Sequence, residues 1–421
     1  MKKRDFIRHL GYAALAAPWV ASAWEPGTPA KARMPYPKGS GEDFWSRIRA
    51  DYALKPDYIN LENGYYNIIP IPVMEQFTEH VRQVNYEGAY YMRTVQWENK
   101  KRVAARLAGM LVCPEDTVVI TRNTTESLDM IIGGYPWKEG DEAVYALQDY
   151  GAMKDHFRQV SDRYGVVCRQ VSVPNHPASD EELVALYEQQ LTPRTRLLMI
   201  CHMINITGQI LPVRKICDMA HRHGVEVLVD GAHCVGQFPV NIPELHCDYY
   251  GSSLHKWLSA PLGAGMLYVG KEHIPKIWPL LADYPRDPGD IGRLNHTGTH
   301  PVHTDLAIGD AMDYLEGIGL ERKAERLGFL QRYWSDALRG VPNIVINTPE
   351  APERSCAIAN VGVSHMKPAR LATTLLEEFK IFTVAIDYAN VQGCRITPNV
   401  YTTTAELDRF IGAMKTLAAR A

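Results

Sequence analysis

From about residue 115 to residue 270, short apolar runs alternate with amphipathic ones. The apolar runs predict strands over 117–121, 143–147, 166–171, 196–201, 225–229, 248–252 and 265–269. Between them, apolar residues at helical spacing predict helices over 125–132, 152–164, 180–190 and 213–223. Strands that alternate with helices make a mostly parallel sheet covered on both faces. From about residue 320 the order changes. A helix over 320–338 leads to β-like runs over 344–346, 356–363, 381–386 and 393–397, with helices over 368–378 and 404–419. The chain therefore reads as α/β, with a large domain over 59–318 built on a mostly parallel central sheet. A smaller C-terminal α+β domain over 319–421 follows. In open sheets of this kind ligands sit past the C-terminal ends of the strands, so the chemistry is sought just after each strand.

Composition narrows the class. Of 421 residues, 46% are hydrophobic and 22% charged, the balance of a soluble globular protein. A net charge of −3 provides no basic field for nucleic acid. After the N-terminus no apolar run is long enough to span a membrane. The first residues differ. Lys2, Lys3 and Arg4 precede an apolar stretch from Leu10 to Val20, and Ala21-Ser22-Ala23 follows. A basic start, a short apolar middle and a small-x-small end make 1–23 a signal peptide. Lys3-Arg4-Asp5-Phe6-Ile7 resembles a twin-arginine export signal with Lys in the first position, so a periplasmic or otherwise exported protein is expected. Residues 24–58 read as a linker and N-terminal segment, rich in Pro and Gly to about residue 40. The eight cysteines form no C-x-x-C pair and fall mostly in apolar runs, where Cys acts as a small hydrophobe. No disulfide framework is expected.

Four sites after strands carry candidate chemistry. Arg122-Asn123-Thr124-Thr125-Glu126-Ser127 opens a helix with free N–H groups and hydroxyls, a cup for phosphate, although an ordinary N-cap reads the same way. Asp230-Gly231-Ala232-His233 ends an apolar strand with a carboxylate that needs a cation when buried. Ser253-Leu254-His255-Lys256-Trp257 places a lysine between a strand and a Pro/Gly turn. Desolvation there lowers its pKa and makes it a nucleophile, whereas a solvated loop lysine is inert. Arg395 lies within an apolar strand and needs an anion, either a substrate carboxylate or a structural salt bridge.

In this order and spacing the segments resemble the class V aminotransferase family of pyridoxal 5′-phosphate (PLP) enzymes, fold type I. The matching pieces are Thr124-Thr125-Glu126-Ser127, Asp149-Tyr150, Asn205-Ile206-Thr207-Gly208 with Pro212, and Asp230-Gly231-Ala232-His233. Ser253-Leu254-His255-Lys256, Gly298-Thr299, and Arg395 with Asn399-Val400-Tyr401-Thr402 complete them. The resemblance implies that Lys256 holds the cofactor as a Schiff base and then acts as general base. It implies that Asp230 keeps the pyridine nitrogen protonated and that Tyr150 stacks on the ring. His233 and Asn205 are implied to hydrogen-bond the ring hydroxyl oxygen. Thr124, Thr125, Ser253 and His255 are implied to hold the phosphate. Thr299 resembles a threonine that reaches the phosphate of a neighbouring subunit, which implies a homodimer. Arg395 is implied to bind the carboxylate of a small amino substrate. Asn63-Gly64-Tyr65-Tyr66 resembles the family's N-terminal active-site turn, so Asn63 is a substrate-side candidate, and Tyr65, Tyr66 and Arg93 are candidates for substrate choice.

Within the family, a cysteine desulfurase needs a reactive Cys on a loop before the carboxylate-binding Arg. Residues 387–393 contain none, and Cys394 lies inside the predicted strand, so persulfide chemistry is disfavoured. Transaminase-type chemistry is ranked first and epimerisation or racemisation second; C–S or β-elimination is a further alternative. A cofactor-binding protein without turnover has no need of the Lys256/Asp230/Arg395 set. His296, His300 and His303 have metal-like spacing but fall around Gly298-Thr299, and no metal is expected. The glycosylation-like triplets at 123–125 and 205–207 fall in predicted site loops and are discounted.

Overall fold

Seven strands make the main sheet in the computed structural model, which describes residues 41–420. The predicted signal segment and the Pro-rich stretch after it lie outside the described residues. The strands are β1 (Val118–Thr121), β2 (Glu142–Ala146), β3 (Val167–Val171), β4 (Thr195–Cys201), β5 (Glu226–Asp230), β6 (Tyr249–Ser253) and β7 (Gly265–Val269). Their spatial order is β1-β7-β6-β5-β4-β2-β3. Only β7 runs antiparallel to its neighbours, β1 and β6. The sheet is thus the mostly parallel one expected.

Burial on both faces explains why β1, β2, β4, β5 and β7 read as largely apolar runs, whereas the edge strand β3 is half-exposed. Val144, Leu198, Ile200, Val227 and Val229 pack into one core. The alternate positions Ala143, Tyr145, Leu197, Met199 and Leu228 pack into a second core on the opposite face.

Four more strands form a second sheet: β8 (Ile344–Ile346), β9 (Ala359–Val363), β10 (Val384–Tyr388) and β11 (Val391–Ile396), in the order β10-β11-β9-β8. A third core lies under it, with Leu330, Trp334, Cys394, Ile396 and Phe410. The segment Ile59–Asn60 pairs in parallel with Ile381–Phe382. The Thr397 N–H then donates to the Leu61 carbonyl at 2.8 Å. These two contacts carry residues 62–65 to the C-terminal sheet, and so to the site described below.

The periodicity missed several helices. Glu42–Arg49 lies in the stretch read as linker and N-terminal segment, yet it buries Phe44, Trp45 and Ile48. Val302–Ile318 is buried on most of its circumference, so it lacks the polar face that marks an amphipathic helix. Ile71–Glu87 errs the other way: Val73 is its one fully buried residue, and Ile71, Met74, Val81 and Tyr86 are exposed. No helix among the described residues is long and apolar enough to cross a membrane.

Candidate active site

A cavity of about 290 Å³ opens past the C-terminal ends of β1, β4, β5 and β6. Ten of the residues singled out from the sequence line it: Thr124, Thr125, Tyr150, Asn205, Asp230, His233, Ser253, His255, Lys256 and Arg395.

One end is built for an anion. The helix Thr124–Gly134 starts here, and its N-cap Asn123 accepts from the Glu126 N–H at 2.8 Å. Glu126 turns away and binds Arg122, through the backbone N–H at 2.7 Å and the guanidinium at 3.0 Å. Its charge is therefore taken up outside the helix mouth. The Thr124 N–H donates to Ser253 Oγ at 2.9 Å, and the two hydroxyls lie 2.6 Å apart. The Thr125 N–H at the first turn has no acceptor among the described residues. Helix N–H groups and hydroxyls converging in this way form a phosphate site. Gly265 lets the pieces meet, since a Cβ there would lie 2.6 Å from Asn123 backbone atoms. His255 uses Nδ1 on the Ala264 carbonyl at 3.2 Å; burial and the Lys256 charge lower its pKa to about 4.

The centre holds Asp230, His233 and Lys256. Asp230 ends β5, is 6% exposed and accepts the Ala232 N–H at 2.9 Å. Burial raises its pKa, and the Ala232 N–H and Lys256 oppose the rise. No cation lies within salt-bridge distance of it among the described residues. A strand-end carboxylate in this position suits a pyridinium N–H. Lys256 Nζ lies 3.2 Å from His233 Nε2. Desolvation lowers its pKa to about 8; Asp230 pulls it up and Arg395 pushes it down. Burial, then the neighbouring cations Lys256 and Arg395, hold His233 well below its ordinary pKa. Tyr150 precedes the helix Gly151–Tyr164 and stands half-exposed at the cavity wall.

The far end carries Arg395 on β11. Its guanidinium already has a partner, Glu62, whose carboxylate also accepts the Gly64 and Tyr65 N–H groups at 2.9 and 2.8 Å. Arg395 Nη1 donates to the Asn205 carbonyl at 3.3 Å. Of the five guanidinium N–H groups, one on each terminal nitrogen is left over, enough for an incoming carboxylate. Glu62 was not picked out from the sequence. Its only signal is a charged residue in the otherwise uncharged run from Tyr58 to Tyr66.

Two of the residues predicted to touch cofactor or substrate, Asn63 and Thr299, do not line the cavity. Asn63 is fully buried: its side chain donates to the Thr397 carbonyl at 2.7 Å and accepts from Tyr401. It ties the N-terminal turn to β11, and the contact with Arg395 falls to Gly64 instead. Thr299 is exposed and lies away from this chain's cavity. Of the substrate-choice candidates, only Tyr65 lines the cavity. His300 binds Asp305 at 2.8 Å, and His303 packs against Phe77. All eight cysteines are unpaired. Cys201 does reach the cavity wall, but its thiol donates to Asp149 at 3.2 Å and burial holds its pKa well above the ordinary value.

The family model for aminotransferase class-V matches residues 69–410. The chain belongs to that family. Pyridoxal 5′-phosphate is therefore its cofactor, and the residues fit it: an anion cup, a buried carboxylate and a desolvated lysine line one cavity. An isopenicillin N epimerase from Amycolatopsis lactamdurans is 28% identical over 396 residues, 89% of this chain and 98% of that protein. The isopenicillin N epimerase of Streptomyces clavuligerus is 25% identical over 398 residues, 89% and 98% of the two chains. A cysteine desulfurase from Klebsiella pneumoniae is 28% identical over 323 residues, 71% of this chain and 77% of that protein. Among solved structures, a C-DES variant with glycine covalently linked to the PLP cofactor matches with a TM-score of 0.78 at 21% identity. That match covers 87% of this chain and 98% of the other and supports the fold.

Proposed function

We propose that this class V enzyme moves the Cα proton of an amino acid, with Lys256 as the base, Arg395 as the carboxylate anchor and epimerisation as the outcome. The observation that carries the proposal is the place of the Lys256 amine, on one cavity wall with Asp230, His233 and Arg395 and 3.2 Å from His233 Nε2. Burial there lowers its pKa, which favours the free base. Bound in the cavity, the cofactor supplies the electron sink for the bond broken at Cα. The chain's own residues do the rest. Thr124, Thr125, Ser253 and His255 would hold the phosphate. Asp230 would keep a proton on the ring nitrogen, and His233 and Asn205 would hydrogen-bond the ring oxygen. Tyr150 would stack on the ring. Arg395 orients the substrate through its two remaining N–H groups. Thr299 is assigned to the phosphate of a neighbouring subunit in a homodimer.

The sequence ranked transamination first. The epimerases aligned over almost their whole length favour returning the proton to Cα instead. The desulfurase relative weighs against setting C–S chemistry aside. Its weight is limited by the hairpin β10–β11, which brings no cysteine to the cavity. Cys394 is buried, its thiol meets the Pro368 carbonyl, and burial pushes its pKa up to about 12.

A panel of L- and D-amino acids in deuterated buffer tests the reading. Epimerisation puts solvent deuterium at Cα and yields both enantiomers with no keto acid present. Amino transfer that requires a keto acid, or release of ammonia or sulfide without Cα exchange in recovered substrate, overturns it.

A further inference from the structure

We propose that Trp257 is a positioning residue: its indole fixes which nitrogen of His233 carries the proton, so that a donor faces Lys256. Trp257 Nε1 donates to His233 Nδ1 at 3.4 Å. An indole nitrogen only donates, so Nδ1 must offer its lone pair. A neutral imidazole then carries its proton on Nε2. The ring is neutral because it is 4% exposed and feels the charges of Lys256 and Arg395, which oppose a positive imidazole.

The consequence falls on Lys256, 3.2 Å from Nε2. An Nε2–H can donate to a free amine but meets an ammonium N–H head-on. This tautomer therefore favours the uncharged lysine, the form that attacks a carbonyl and removes a proton. The other groups facing Lys256 are fixed charges or weak acids. Asp230, Glu62 and Cys234 favour the charged amine and Arg395 opposes it, while His255 stands beside it. None of them switches with the His233 tautomer.

Both rings are held in place. Trp257 is fully buried, and its carbonyl accepts from Lys323. Lys323 is buried, has no carboxylate within salt-bridge distance among the described residues, and is lowered to about 7 by that burial. The His233 carbonyl accepts from Gln237 at 2.5 Å. The imidazole is itself buried, with the buried indole against it.

The inference concerns the lysine and not the reaction that follows, so it is tested on the full chain freed of cofactor. The pH dependence of Lys256 acylation by a limiting amine reagent is read by mass spectrometry. Trp257→Phe removes the N–H and lets His233 present a lone pair to the ammonium. The Lys256 midpoint should rise by roughly one unit, the worth of one hydrogen bond changing sense. In a His233→Gln background the same substitution should move nothing further. An unchanged midpoint, or an equal shift in both backgrounds, overturns the proposal. A second measurement needs no Trp257 variant. In chain labelled with ¹⁵N-histidine, the resonance missing from His233→Gln should report a neutral ring protonated at Nε2. A proton at Nδ1 overturns the assignment.

Discussion

Glu62 holds the side edge of the Arg395 guanidinium, with Nε 3.1 Å from Oε2 and Nη2 2.6 Å from Oε1. Both residues are less than a tenth exposed. Arg395 is therefore fixed on one edge by a structural pair with Glu62, and its outer edge is the one proposed for substrate. Arg395→Ala should weaken both. Removing one partner of a buried pair costs about 3–5 kcal/mol, so the variant should melt earlier and bind amino acids at least about tenfold more weakly. Adding Glu62→Gln should restore part of the stability and none of the affinity. A double-mutant cycle in denaturant, read beside KM, separates the two effects. Unchanged stability in Arg395→Ala would remove the structural half of the argument.

Gly64 lies against the same guanidinium. A Cβ at this position would come within 2.9 Å of Arg395 Cζ. Gly64→Ala should push the arginine aside without touching the cofactor end. KM should rise roughly tenfold while kcat and the visible absorption of the bound cofactor hold. Steady-state kinetics and a spectrum check this together.

Lys256 should show its lowered pKa directly. Capture of pyridoxal 5′-phosphate by the cofactor-free chain should speed up as pH rises through about 8, well below the 10.5 of an ordinary lysine. Borohydride should then fix the cofactor mass on Lys256 and not on Lys323. The folding linkage has a definite sign. Below about 8 both folded and unfolded states carry the proton, and the burial penalty is fully present. Between about 8 and 10.5 the unfolded state binds more protons, so this group's contribution makes the fold more stable as pH rises. Lys256→Met should flatten that slope in cofactor-free unfolding curves.

Export is proposed from the N-terminal sequence alone. Mature protein from the periplasm should begin near Trp24, and Arg4→Gln should trap the full chain inside if the twin-arginine route is used. N-terminal sequencing of fractionated cells decides it. A cytosolic chain starting at Met1 would end the proposal.

Lys256, Asp230, Ser253 and Thr124 could be singled out because each lies at or just past a strand end or at a helix start, and Arg395 because it interrupts an apolar strand; their roles came from the resemblance of the whole set to a family. Most of the main sheet was legible because strands buried on both faces read as largely apolar runs. What stayed hidden depends on distant pairing. Glu62 carries meaning only beside Arg395, and no local pattern joins two residues 333 positions apart. Trp257 reads as a core aromatic until its N–H is seen to reach His233. Asn63 was placed on the substrate side from its neighbours, whereas its side chain ties two chain segments together and Gly64 is the residue that lies against Arg395. The helix Glu42–Arg49 was hidden by its two turns and by the Pro-rich stretch before it.

The parts of the cavity also differ in how much chain must exist before they can form. Lys256 meets His233 across 23 positions, and Thr124 meets Ser253 across 129. Arg395 must wait for Glu62 across 333. A chain emerging from the ribosome at about 5–20 residues per second holds every residue of the phosphate cup and its lysine well before the strand with Arg395 has been made. The cradle can be tested for its cofactor early, whereas the Glu62–Arg395 pair closes only once the strand with Arg395 has been made. A nascent chain stalled short of residue 395 is therefore expected to capture cofactor and have no means of holding an amino acid against it.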